Sequence, residues 1–333
     1  MLRLVIEDYT QDRWNRLIGD FTGLSLLQRW EYAEAKARAG PWGVERGVFF
    51  KSGEPVGAFQ ALIRPLPAGL PGGLAWINRG PLHRNDEELA AMMGLLRDRY
   101  ARKRGMYLRI APPIENLIAE DLSAEGFAPA GCPGWASAVV DLTAPLEALR
   151  GNLRQKWRNC LNKAERMNLE IKWGDGEDIF AAFLEGHGKL IAEKGFATSV
   201  TTDLLRALQD LSAPENRMEA FIVSHEGAPA ASALIAKFGE TCEYLAGNVG
   251  DEGRRRNAGQ FLLWRVAAAM KAEGFRRFDL GGVDPDLTPK GVFRFKDGLA
   301  GTPYRLAREV EALDGGPLGR LVRWRVNRAR ANG

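Results

Sequence analysis

Cysteine and histidine are scarce in this chain, with three of each among 333 residues. Cys132, Cys160 and Cys242 are far apart and odd in number, so they form neither a disulfide framework nor a metal-ligand spacing. His83, His187 and His225 are scattered, and no His-x-Glu or His-Glu-x-x-His pattern occurs, so no metal is expected. A Gly-x-Ser-x-Gly elbow and a Gly-Lys-Ser/Thr phosphate loop are also missing, which removes the main signatures of serine hydrolases and nucleoside triphosphatases. No apolar run approaches the ~20 residues that a membrane-spanning helix needs, so no integral membrane segment is expected. The opening Met1-Leu2-Arg3-Leu4-Val5-Ile6-Glu7-Asp8 meets acid at once and reads as a first strand, not a signal peptide. The expected location is therefore the cytoplasm.

Hydrophobic residues make up 45% of the chain and charged residues 26%, the profile of a water-soluble globular protein. The length suits two domains better than one core. The net charge is only +4, yet the basic residues cluster. One cluster runs from Arg97 to Arg104. A second holds Arg150, Arg154, Lys156, Arg158, Lys163 and Arg166. Arg254, Arg255 and Arg256 form a third, and Arg320, Arg323, Arg325, Arg328 and Arg330 a fourth. A solvated helix face accounts for any one of them. Several together point to a polyanionic partner or substrate.

The order of elements repeats. The first half predicts helices over 10–20 and 28–39, then a hairpin of strands at Gly47–Lys51 and Pro55–Pro65. A strand at 74–77, a helix from Glu87 to Gly105 and a strand at 106–110 follow. Residues 123–127 end a further helix, and Ala136–Leu142 is a strand. The second half predicts a helix over Pro145–Met167, a strand at 169–173 and helices over 177–194 and 202–212. Strands at 218–224, 229–238 and 241–247, a helix over 260–273 and a strand at 276–280 complete it. The hairpin turns Ser52-Gly53-Glu54 and His225-Glu226-Gly227 correspond. The pattern is α/β, an α+β layering of mixed sheets flanked by helices, and by analogy two tandem copies of the acyl-transferring GNAT fold.

The most informative stretch is Phe278-Asp279-Leu280-Gly281-Gly282-Val283, followed by Gly291-Val292-Phe293-Arg294-Phe295-Lys296-Asp297-Gly298. An apolar strand enters a Gly-Gly turn, where the backbone can take left-handed conformations and a substrate can approach it closely. Lys296 ends a half-apolar aromatic segment, a place from which a lysine can meet developing negative charge in a dry site. A surface lysine at a strand end is the other local reading.

Four ordered segments carry a resemblance to a known family. They are Leu27-Gln28-Arg29-Trp30-Glu31-Tyr32 through Lys36, the basic helix Leu153–Arg166, Asn257-Ala258-Gly259-Gln260 through Gly274, and the Asp279–Lys296 stretch. Together they resemble the Fem family of aminoacyl-tRNA-dependent aminoacyltransferases, which build the interpeptide bridges of peptidoglycan. The likeness spans nearly the whole chain and is to compact members without a coiled-coil arm. It implies an aminoacyltransferase that moves an amino acid from aminoacyl-tRNA to an amine of a UDP-linked muramyl peptide or lipid-linked precursor, with no cofactor beyond that co-substrate. It implies a first domain over 1–144 plus about 306–333 that binds the acceptor, and a second over 145–305 for aminoacyl-tRNA and catalysis.

Residue by residue, the resemblance places Lys296 near the reacting carbonyl and Lys36 on an acceptor phosphate. Trp30, Gly281, Gly282 and Phe295 are expected around substrate, and the basic residues Arg154, Lys156, Arg158, Arg254, Arg255 and Arg256 on phosphates of tRNA or of an acceptor diphosphate. Tyr304–Val310 and the arginine-rich tail are expected to complete the first domain, or else to form a frayed basic arm on tRNA or membrane, giving a peripheral membrane contact. Many family members carry Asp before Pro after the strand matching 106–110, whereas this chain has Ala111-Pro112. Glu115 and Asp284 are the remaining carboxylates for that role. Trp157 and Trp264 are expected in the core or stacked on a base. Three other readings stand: an acyl-CoA-dependent GNAT N-acyltransferase, a Fem-like transferase acting on an exopolysaccharide-linked or secondary-metabolite acceptor, and a non-catalytic binding protein. Arg256-Asn257-Ala258-Gly259-Gln260 supplies only one of the small residues expected of a pyrophosphate-binding turn.

Overall fold

The computed structural model describes residues 1–115, 122–194, 200–314 and 316–331. The chain divides into two units, Met1–Trp135 with Arg305–Gly333, and Ala136–Tyr304.

In the first unit β1 (Leu2–Ile6) is followed by helices α1 (Gln11–Ile18) and α2 (Trp30–Ala39). Thr10 starts α1 because its side chain accepts the N–H of Arg13 at 3.4 Å, and Trp14 and Ile18, one turn apart, form the buried face. Strands β2 (Gly43–Lys51) and β3 (Glu54–Pro65) form a hairpin. Its two turn residues, Ser52 and Gly53, both have positive φ, the geometry that matches the twist of paired strands. Next come β4 (Gly73–Asn78), β5 (Leu82–His83), α3 (Leu89–Arg97), β6 (Tyr107–Ala111) and β7 (Ala128–Pro129).

The second unit contains β8 (Ala136–Asp141), α4 (Leu146–Asn152), α5 (Gln155–Ala164), β9 (Glu170–Gly174), α6 (Glu177–Lys194) and α7 (Thr202–Leu211). Strands β10 (Glu219–His225), β11 (Ala228–Phe238) and β12 (Thr241–Val249) form a meander. Helices α8 (Asp251–Arg255) and α9 (Ala258–Ala272), strand β13 (Arg277–Asp279), α10 (Lys290–Asp297) and β14 (Thr302–Arg305) complete the series. The hairpin turn at Glu226 and Gly227 again has two positive φ values, so the duplication extends to turn geometry. The chain then returns to the first unit as β15 (Val310–Ala312) and α11 (Pro317–Ala331).

Each unit is a mixed sheet with helices against it. The first sheet has the order β1-β2-β3-β4-β6-β15-β7, with β5 also on β3; the second runs β14-β8-β13-β12-β11-β10-β9. Each is mostly antiparallel and includes a parallel pair, β4 with β6 in the first and β12 with β13 in the second. In the second unit the core forms where α9, buried on most sides, meets α5 and the sheet through Phe261, Leu262, Val266 and Met270 against Trp157, Leu161, Phe221 and Phe278. In the first unit, Val322 of α11 packs with Leu74 and Tyr107.

Several expectations change. The helix expected over Pro145–Met167 is two helices, broken where Leu153 and Arg154 take extended conformations. The helix expected over Glu87–Gly105 opens with a tight turn at Asp86–Glu88 and closes with a wide one at Asp98–Arg102. Residues 122–126 form turns, and the rest of the helix expected before them lies outside the described residues. Strand β8, read from sequence as the end of the first domain, pairs with β13 in the second sheet. The tail is a helix packed on the first unit, not a frayed arm.

Candidate functional site

The site is built where β12 and β13 part. The parallel pair holds only over Thr241–Glu243 and Arg277–Asp279. Beyond Glu243, β12 continues to Val249 with β11 along one edge only. After Asp279 the chain turns through Gly281 (φ 58°) and Gly282 (φ 61°). A Cβ at residue 281 would overlap the carbonyl oxygen of Tyr244, so left-handed backbone and close approach both call for glycine. Asp279 fixes the turn. Its carboxylate accepts the N–H of Gly281 at 2.9 Å, the hydroxyl of Ser137, and the hydroxyl of Tyr304 at 2.6 Å.

Lys296 points into this turn. It lies on α10, not at a strand end, and only 8% of it is exposed. Its Nζ donates to the carbonyl of Gly281 and, at 3.4 Å, to that of Gly282. The ammonium also lies 4.9 Å from the centroid of the Tyr244 ring, in cation–π range. Burial pushes its pKa down to about 8, against the opposing pull of Asp279 and Glu243. A lysine ammonium carries three N–H donors, and carbonyls take two of them here. The third can serve an oxygen that gains charge.

Two helices hold α10 in place. Trp157 of α5 is buried and donates its indole N–H to the carbonyl of Phe295 at 2.9 Å. Any side chain at Gly298 would overlap that indole, so glycine lets α10 end against it. On the other side, Gly259 of α9 admits the Phe295 ring, which would stand 3.1 Å from a Cβ there. Lys296, Gly281, Gly282 and Phe295, expected around substrate, are therefore brought together. Trp157 is core, and so is Trp264, which is covered by the Arg150 guanidinium at 5.6 Å.

The other expected residues each have their own surroundings. Trp30, in the first unit, spends its indole N–H on the carbonyl of Tyr9 and packs under the Arg46 guanidinium. Its neighbour Gln28 is fully buried and clamps two strands. It accepts from the N–H of Gln60 and donates to the carbonyls of Gln60 and Asn78. Lys36 of α2 is half-buried, has no carboxylate within ion-pair distance among the described residues, and burial lowers its pKa. Arg154, Lys156 and Arg158 stand at the start of α5; Arg154 faces Asp297 at 3.4 Å, Arg158 donates to the carbonyl of Gly151, and Lys156 is exposed. Arg254, Arg255 and Arg256 are matched by acids of their own helix, Arg254 by Asp251 and the other two by Glu252. Of the substitute carboxylates, Glu115 is exposed, while Asp284 is buried and accepts the N–H groups of Asp286 and Leu287 as a turn cap.

Asp279, Tyr244, Ser137 and Tyr304 are the residues that sequence reasoning passed over. Asp279 stands two residues before Gly281, and a carboxylate just before such a turn is an ordinary signal for backbone capping. The other three come from distant parts of the chain and carry no local signal.

Comparison with known proteins gives a consistent fold. The family profile of the acetyltransferase (GNAT) domain matches residues 150–297. No curated protein matches the chain by sequence. Among solved structures, FemX superposes with a TM-score of 0.80 at 17% identity, over 96% of this chain and 100% of that one. The C-terminal domain of a putative lysylphosphatidylglycerol synthetase from Agrobacterium fabrum gives a TM-score of 0.56 at 15% identity, over 87% and 90%. A tandem GNAT protein from the clavulanic acid biosynthesis pathway gives 0.55 at 15%, over 95% and 99%. The second unit thus carries the GNAT domain pattern, and the whole chain has the fold of tandem GNAT proteins. The Fem resemblance read from four short segments extends to its whole fold.

Proposed function

We propose that this tandem GNAT protein is an aminoacyltransferase that moves an amino acid from aminoacyl-tRNA onto an amine of a peptidoglycan precursor, forming an amide. The observation that carries the reading is the buried Lys296 ammonium seated on the Gly281–Gly282 turn, in a chain whose fold matches FemX from end to end.

In the reaction, the acceptor nitrogen attacks the ester carbonyl carbon. A C–N bond forms and charge collects on the carbonyl oxygen. The C–O bond to the ribose then breaks, the nitrogen loses a proton, and the departing ribose oxygen gains one. A fixed, buried cation stabilises an oxyanion without reorganisation, an effect on the order of a few kcal/mol. The third N–H of Lys296 is assigned that role. With a pKa of about 8, the group is mostly ammonium at neutral pH and lies close to the range where a proton can be passed to the ribose oxygen.

No strong protein base is required, because the acceptor amine attacks in its neutral form. The absence of a carboxylate at Ala111 fits this, as does the use of Asp284 as a turn cap. Holding both substrates together supplies much of the remaining rate. The acceptor is assigned to the first unit, where half-buried Lys36 has no counter-ion among the described residues and would gain from a phosphate of a UDP-linked muramyl peptide or a lipid-linked precursor. Aminoacyl-tRNA is assigned to the second unit, with Lys156, Arg154 and Arg158 toward its phosphates. Arg254, Arg255 and Arg256 contribute less, since Asp251 and Glu252 already neutralise them.

The match to the acetyltransferase (GNAT) profile favours a second reading, acyl transfer from acyl-CoA. The start of α9 weighs against it. Gly259 there serves to admit the Phe295 ring, and Glu252 places a carboxylate beside the turn that would hold a pyrophosphate.

The test is transfer of labelled amino acid from a charged tRNA pool to UDP-linked muramyl peptide, with and without ribonuclease. Transfer that ribonuclease abolishes establishes the reaction. No transfer, with acetyl-CoA consumed in a parallel tube containing amines, replaces it with the second reading.

A further inference from the structure

The basic clusters differ in how their charge is spent. Arg99 and Arg104 are paired with Glu45, and Arg102 with Asp98. Arg254, Arg255 and Arg256 are paired with Asp251 and Glu252. Helix α11 differs from these two clusters. Its sequence Pro317–Ala331 contains five arginines and no acid. Arg323 turns to Glu311 on the sheet, but Arg320, Arg325 and Arg328 are exposed and have no ion-pair partner among the described residues.

The same outer face is also apolar. Val322 and Val326 pack inward with Leu74, Tyr107 and Trp76. On the opposite side Trp324 is 54% exposed and Leu321 49%. Residues four apart share a helix stripe, so Arg320, Trp324 and Arg328 run in one row, with Leu321 beside them. Arg328 lies over the Trp324 ring at 5.3 Å. An exposed tryptophan and leucine framed by uncompensated arginines has the chemistry of a helix that rests in a membrane interface. The indole and leucine enter the headgroup–acyl boundary, and the guanidinium groups reach out to lipid phosphates.

We propose that the outer face of α11 docks this protein peripherally on an anionic lipid surface. The assignment rests on this helix alone and does not depend on the chemistry of the second unit. Charge complementarity favours this occupant. A second copy of the chain would set arginines against arginines. Single-stranded RNA would use the arginines and Trp324, but would leave Leu321 in contact with nothing apolar.

The test is flotation of the full chain with phosphatidylcholine vesicles, and with vesicles of equal parts phosphatidylcholine and phosphatidylglycerol. Two double variants accompany it, Leu321→Ser/Trp324→Ser and Arg320→Gln/Arg328→Gln. All four side chains are exposed, and thermal melts verify that both variants fold. The wild type should float with the anionic vesicles and not with the neutral ones. Each double variant should bind them roughly tenfold more weakly or worse. Failure to float overturns the proposal, as does binding that both variants retain. Association with uncharged tRNA, lost in the same variants while no vesicle is bound, also overturns it and assigns the face to nucleic acid.

Discussion

Trp157 donates its indole N–H to the carbonyl of Phe295 at 2.9 Å, so the residue that follows the acceptor, Lys296, is aimed from a helix anchored in the core. Trp157→Phe keeps a large aromatic ring and removes that donor. A lost buried hydrogen bond should cost about 1–3 kcal/mol of stability. Transfer activity should fall further than the thermal midpoint implies, because α10 loses a fixed point next to its lysine. Chemical denaturation and single-turnover rates on the same preparation separate the two effects.

Lys296→Met should remove most transfer activity while the circular dichroism spectrum stays that of the wild type. Losing one oxyanion donor is expected to lower the rate roughly 100- to 1,000-fold. A variant with full activity would remove the assignment of Lys296.

The same residue predicts a pH signature. Its folded pKa is about 8, against an ordinary value of 10.5. Between those values the unfolded chain holds a proton that the folded chain has released, so stability gains from rising pH. Below about pH 8 both states are protonated, and the cost of burying the ammonium is fully present. The thermal midpoint of the wild type should therefore rise relative to that of Lys296→Met as pH goes from neutral toward 10, by at most roughly 3 kcal/mol equivalent. Transfer should show an alkaline limb near pH 8 as the ammonium is lost.

Gly281→Ala should be severe. It adds a side chain at φ 58° and drives a Cβ into the Tyr244 carbonyl. The strain alone is about 1–3 kcal/mol, and relieving it moves the carbonyl that receives Lys296. Both the thermal midpoint and transfer should drop.

Asp279→Asn tests the support behind the turn. The amide keeps one acceptor oxygen for the Gly281 N–H but presents N–H₂ where the Tyr304 hydroxyl now donates. We expect a modest fall in stability and a larger fall in kcat than change in KM. An unchanged kcat would mean that the turn holds its shape without the carboxylate.

The fold was largely readable because hairpin turns, capping residues and apolar periodicity are local signals. Ser52-Gly53 and Glu226-Gly227 marked the two hairpins, and their similar surroundings disclosed the duplication. The break at Leu153–Arg154 was hidden, since neither residue is a helix breaker and a tertiary demand sets it: the Arg154 N–H donates to the carbonyl of Gly298 at 3.0 Å. Lys296 stood out through its glycines and aromatic neighbours, although a segment of that composition gave no sign of being helical. Asp279, Ser137 and Tyr304 meet only after folding, so no window of sequence contains them together. Trp30 shows a further limit of a local motif: its indole N–H is taken by the carbonyl of Tyr9, a partner 21 residues away that no short window includes.

Val310 pairs with Ile110, and β15 lies between β6 and β7 in the first sheet. The residues that separate these partners include the whole of the second unit. During synthesis the second unit emerges as one uninterrupted stretch and can close its sheet while the first still lacks a strand. The half of the protein that leaves the ribosome first is therefore finished last. Until β15 arrives, the edges of β6 and β7 stand open, and an open strand edge is a template for the wrong neighbour. Substitutions in β15 should accordingly lower the yield of folded protein more than they lower the stability of the molecules that do fold.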